Sequence, residues 1–129
     1  MAKTALDMTG DEWRAYHTGA ALQQRQIATE HRTQQRWEQA QQLARAAAQR
    51  LREEFGACRV VLFGSAAQRS SFTPWSDVDL AAWGVTPERF YAAVAAVTGL
   101  GTEIAVDLVD PDQCPPALQT IIEREGIEL

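Results

Sequence analysis

Along the first half of the chain the apolar residues return at helical steps, whereas in the second half they gather into short runs. Trp37, Ala40, Ala44, Ala47, Leu51 and Phe55 recur at intervals of three and four, with Leu43 and Ala48 widening the stripe. This pattern predicts an amphipathic helix lying on a core. Just upstream, Ala21 to Arg36 reads ALQQRQIATEHRTQQR and offers only Leu22, Ile27 and Ala28 as apolar anchors. That stretch is expected to be helical yet to project, or to bind another chain. Between Trp13 and Phe55 there is no proline and a single glycine, Gly19, so one very long helix and two helices broken near Gly19 both satisfy the pattern. Thr9 to Glu12 fits a capping box that would open the first helix. Gly56 fits the C′ position that would close the last turn.

The runs that follow are β-formers. Arg59 to Phe63 (RVVLF) reads as a buried strand ending at Gly64, Asp77 to Trp83 (DVDLAAW) as a second strand, and Glu103 to Val109 (EIAVDLV) as a third. Pro87 to Val97 places proline at a helix N1 position with apolar residues at Phe90, Val94 and Val97. Asp110-Pro111 breaks the chain, and Pro116 to Glu125 reads as a short final helix. The expected fold is an α/β (α+β) domain on a sheet of at least three strands. Residues 37–129 form the domain and residues 1–36 an N-terminal helical extension.

Composition narrows the function classes. A chain of 129 residues with 46% hydrophobic and 22% charged residues suits one globular domain. Its net charge of -5 argues against broad phosphate neutralisation, so direct nucleic-acid binding is not expected. Most Arg lies before residue 60, which leaves the N-terminal half able to meet an acidic partner. Cys58 and Cys114 lack metal-ligand spacing and read as reduced, buried small hydrophobes. No 18-residue apolar run and no apolar leader core occur, so neither a membrane span nor export is expected and a cytoplasmic location is. His17 and His31 read as surface residues, and Trp37 and Trp83 as core. Trp75, beside Pro74, is expected to pack its loop, with stacking on a nucleobase as the other reading.

The candidate chemistry lies at Asp77 and Asp79. Residues two apart in a strand share a face, so these carboxylates would project together while Val78 and Leu80 point into the core. Paired carboxylates repel unless a cation lies between them, and Mg²⁺ suits a site of few carboxylates completed by water and phosphate oxygens. Asp107 alternates with Val106 and Leu108 in the third strand and would join the pair if the strands are neighbours. Three such acids would suit a two-metal arrangement. Gly64-Ser65, directly after the first strand, would let backbone amides and a hydroxyl approach a phosphate.

Phe63-Gly64-Ser65, then Ser76 to Leu80 (SDVDL), then Val106 to Val109 (VDLV) together resemble the minimal nucleotidyltransferase domain of the DNA polymerase β superfamily. The resemblance covers roughly residues 37 to 125. It implies a small mixed sheet flanked by helices, with Asp77, Asp79 and Asp107 as catalytic acids that hold Mg²⁺. It further implies that Gly64, Ser65, Arg69 and Ser76 contact a nucleoside triphosphate, ATP or another NTP, and that a nucleoside monophosphate passes to a hydroxyl with loss of pyrophosphate. Small stand-alone members are paired with helical HEPN-type proteins in toxin-antitoxin modules, which implies AMP transfer to a tyrosine of such a partner and an antitoxin role. The loop departs from the family's GSRARG pattern, with Ala66 where the first Arg stands, and leaves Arg69 to compensate. Two other readings stay open: a partner-binding module that has lost catalysis, with its N-terminal helix as the contact or self-association surface, and a protein whose acids are surface charge.

Overall fold

The computed structural model describes residues 19–129; the capping box at Thr9 to Glu12 and His17 lie outside the described residues. Helix α1 (Ala20–Phe55) is continuous over 36 residues. Its buried positions are Thr33, Ala40, Ala44, Ala47, Ala48, Leu51 and Phe55, so the predicted stripe does face the core. Alanine dominates that stripe because a helix bearing short side chains can lie close against a sheet. Leu22 and Ile27 stay 45% and 64% exposed. After α1 the chain turns at Gly56, whose φ is 72°, and the Ala57 N–H donates to the Leu51 carbonyl at 3.0 Å, the left-handed closure expected of glycine there.

Strand β1 (Arg59–Phe63) is followed by two short 3-10 turns (Gly64–Ala67 and Arg69–Ser71), β2 (Val78–Trp83), α2 (Pro87–Thr98), β3 (Val106–Val109), α3 (Pro116–Glu125) and β4 (Ile127–Glu128). The sheet order is β3-β2-β1-β4. β1 runs antiparallel to β2 and β4, while β2 and β3 are parallel. The fold is therefore α+β with a mixed four-stranded sheet.

Both faces of the sheet are covered. Val60, Leu62, Val78, Leu80, Val106 and Leu108 pack into one cluster with the α1 stripe and with Ala93 and Val97 of α2. Val61, Phe63 and Ala81 pack on the other face with Ile122 of α3. This two-sided burial explains why β1 reads as an unbroken apolar run.

Several expectations need correction. β2 starts at Val78, which leaves Asp77 just ahead of the strand. β3 starts at Val106, because residues 102–104 bend, although Ile104 is still buried. The fourth strand escapes the sequence pattern because it has only two residues, both exposed. Arg59 fastens it, bonding Glu128 at 2.7 Å and Glu123 of α3 at 3.0 Å, and Arg52 donates to the Leu129 carbonyl. The cysteines are free thiols but not core residues, since Cys58 is exposed and Cys114 half-buried. Trp37 and Trp83 lie at the core's rim. Trp37 meets Phe72 edge-on at 5.3 Å, and Trp83 carries the Arg59 guanidinium at 4.3 Å. Trp75 does not pack its loop, for it is 82% exposed. No helix among the described residues is long and apolar enough to cross a membrane.

Candidate functional site

The register of the sheet brings the acids together. Phe63 pairs with Asp79 across the antiparallel β1–β2 ladder, and Asp79 pairs with Asp107 across the parallel β2–β3 ladder. Neighbouring strands lie about 4.8 Å apart, so Asp79 and Asp107 stand side by side on one face. Val78 is fully buried on the opposite face, and Asp77 precedes it at the mouth of the strand. All three acids predicted from sequence thus meet at one end of the β2–β3 pair.

Gly64 closes the site on the β1 side. Its φ is +74°, and a Cβ placed on it would lie 2.6 Å from Asp79 Oδ2. Glycine is therefore required twice, for the backbone conformation and for the approach of the loop to the carboxylate. Ser65 and Ala66 continue the 3-10 turn, whose Ala66 carbonyl accepts a bond from Gln41 Nε2 at 2.9 Å.

The electrostatics follow from this crowding. Burial pushes the Asp79 carboxyl up to about 6, and the negative charges of Asp107 and then Asp77 push it in the same direction. A half-buried acid beside two others carries more negative charge than its surroundings balance. Among the described residues no group of three or more acidic, histidine or cysteine side chains converges as a ready-made metal cage. An all-oxygen set of this kind suits a hard cation that takes one or two carboxylates and fills its remaining positions from water and phosphate.

The other predicted nucleotide contacts are placed differently. The Ser76 hydroxyl is turned inward, accepting the Thr73 N–H at 2.9 Å and lying 3.1 Å from Thr73 Oγ1. With the Trp75 N–H bonded to Thr73 Oγ1 at 3.2 Å, it fixes a tight turn that presents the exposed Trp75 two residues before Asp77. Arg69 points at the N-terminal helix, bonding Gln34 at 3.0 Å and lying 3.5 Å from Glu30. Gly64 is thus at the acids, with Ser65 next to it in the 3-10 turn, whereas Ser76 supports the loop and Arg69 is engaged by α1.

Sequence reasoning missed Arg36. From α1 its Nε and Nη2 donate to the Ser76 carbonyl at 3.2 and 3.1 Å, its Nη1 to the Glu103 carbonyl at 3.4 Å, and Nη2 stands 3.7 Å from Asp77 Oδ1. In the sequence it is one Arg among many on a polar helix, and only its place immediately before Trp37, where the apolar stripe begins, marks it. No protein-family model matches the chain, and no curated protein matches it.

Proposed function

We propose that the protein is a Mg²⁺-dependent nucleotidyltransferase of the minimal type, moving AMP from ATP to a hydroxyl acceptor. The observation that carries this reading is the row Gly64, Asp79, Asp107, with Asp77 just ahead of β2: a glycine loop pressed against one of two acids paired across two parallel strands, with a third acid beside them. Mg²⁺ held by Asp77, Asp79 and Asp107 would offset their charge and the charge of the triphosphate.

The chain's own residues supply position and proton transfer. Gly64 and Ser65 offer backbone N–H groups and a hydroxyl to phosphate oxygens, and Trp75 offers an exposed aromatic face to the base. Asp107, the most open of the three acids, accepts the proton of the acceptor hydroxyl. That oxygen then bonds to the α-phosphorus as the bond to the bridging oxygen breaks, and pyrophosphate leaves. Catalysis of this kind is positioning and charge stabilisation. The site is open, with Asp107 exposed, which suits a protein-borne hydroxyl. The tyrosine of a HEPN-type helical partner, met through the exposed half of α1, is the acceptor this reading names, with the chain acting as its antitoxin.

The test is incubation with α-labelled ATP, Mg²⁺ and such a partner, followed by intact mass analysis of both chains. The reading predicts a gain of AMP units on the partner that disappears in the Asp77→Asn, Asp79→Asn double variant. A stable complex without any gain would replace it by the non-catalytic binding module, which the engagement of Arg69 by Glu30 and Gln34 favours.

A further inference from the structure

Each of the two acid-bearing strands is entered through a loop, and one side chain from a third element holds both loops. β2 is entered at Ser76-Asp77 and β3 through residues 102–105. The Arg36 guanidinium bonds the Ser76 carbonyl through two nitrogens and the Glu103 carbonyl through the third. The start of β2 also bonds the second loop, the Val78 N–H donating to the Ala105 carbonyl at 2.9 Å. Planar donors in a fixed fork can satisfy two carbonyls from different segments at once; a lysine ammonium, a compact charge on a flexible stem, cannot hold both in one geometry.

We propose that Arg36 is a positioning residue for the acidic cluster, tying the entry loops of β2 and β3 to α1 so that Asp77, Asp79 and Asp107 stay in register. Its value for catalysis rests on the nucleotidyltransferase reading; its tie between the loops does not. Two effects of Arg36 on a bound cation oppose each other. As a positive charge near Asp77 it repels the cation, and as a fork it holds the acids where a cation can use them. The charge effect is weak, because the Asp77 side chain is 44% exposed and the pair is 3.7 Å apart, conditions under which solvent screens the interaction. The fork's bonds are charge-assisted and join both entry loops to α1. Positioning therefore outweighs repulsion, and this fixes the sign of the experiment: loss of Arg36 weakens cation binding, whereas a mere neighbouring charge would strengthen it when removed.

The test uses the full chain with Arg36→Lys, which keeps the charge and loses the fork, and Arg36→Met, which loses both. Mn²⁺ alone, followed by electron paramagnetic resonance, reads cation affinity. Amide hydrogen exchange in metal-free buffer reads the loops. Both variants are expected to bind Mn²⁺ at least about 5-fold more weakly than wild type, and to speed exchange at least about 10-fold in residues 77–80 and 105–107 while α3 is unchanged. Leu51→Ala, a core truncation remote from the loops, controls for general destabilisation and should keep wild-type Mn²⁺ affinity. Unchanged exchange in either loop, or Mn²⁺ binding that is unchanged or tighter in Arg36→Met, overturns the proposal. Wild type that binds no Mn²⁺ but shows the exchange effect in both loops overturns the metal reading and leaves the tie intact.

Discussion

Asp79 is the residue on which the account turns, because it meets Gly64 on one side and Asp107 on the other. Its carboxyl is raised from 3.8 to about 6, so the folded state holds a proton that the unfolded chain has released between those values. Stability must therefore fall as pH rises through that window, and the full cost is present above about pH 6. Asp79→Asn removes the cost. In buffer free of divalent cations the variant is expected to be more stable than wild type at pH 8, by about 1 kcal/mol once the half-exposure of the group is allowed for, and to lose that advantage below about pH 4. Denaturant melts at the two pH values check this; a variant less stable than wild type at pH 8 would mean that Asp79 has a structural partner. Gly64 makes a second residue-scale prediction. Gly64→Ala and Gly56→Ala both place alanine at positive φ, 74° and 72°, but a Cβ at Gly56 meets nothing within 4 Å. Each substitution should cost about 1 to 2 kcal/mol in backbone strain. Only Gly64→Ala should also abolish Mn²⁺ binding, because its methyl group displaces the Asp79 carboxylate.

At the scale of elements, legibility followed the strength of the local pattern. The α1 stripe from Trp37 to Phe55, the proline-led helices α2 and α3 and the core of β1 were readable because burial imposes a period on the sequence. The alignment of Asp107 with Asp79 was readable only as a condition, since strand adjacency is a tertiary fact that no local pattern encodes. β4 and the true start of β3 were not readable. A two-residue exposed strand has no periodicity, and the bend at residues 102–104 interrupts an alternation that Ile104 continues in sequence. Trp75 was misassigned because tryptophan is usually buried, whereas here the bonds between Thr73, Trp75 and Ser76 hold the turn without help from the indole. Arg36 and Gln41 were invisible because a polar residue on the edge of a buried stripe looks like any solvated one. Leu22 and Ile27 are exposed, as few apolar anchors imply, although Thr33 is buried and Glu30, Gln34 and Arg36 tie the end of that stretch to the domain: Ile27→Glu should change stability by less than about 0.5 kcal/mol, while Leu51→Ala should cost about 2 to 5 kcal/mol. Thermal melts of the two variants compare them directly, and a large loss in Ile27→Glu would show that this half of the helix is covered by a second copy.

For the whole molecule, the fold and the proposed chemistry fit one another. The mixed sheet is sealed on both faces by helices, its open end carries the acids, and α1 reaches from the loops of that end through Arg36, Gln41 and the pair of Arg69 with Glu30 out to an exposed arm. A partner held on that arm would be next to the loops that carry the acids. The central claim is that those acids, with a divalent cation, hold a nucleoside triphosphate. Calorimetric titration of ATP into wild type and the Asp77→Ala, Asp79→Ala double variant, each with Mg²⁺ and with chelator, tests it most directly. The account predicts binding by wild type with Mg²⁺ only, and none by the double variant under either condition. Equal binding by both proteins, or no binding by wild type with Mg²⁺, would contradict it.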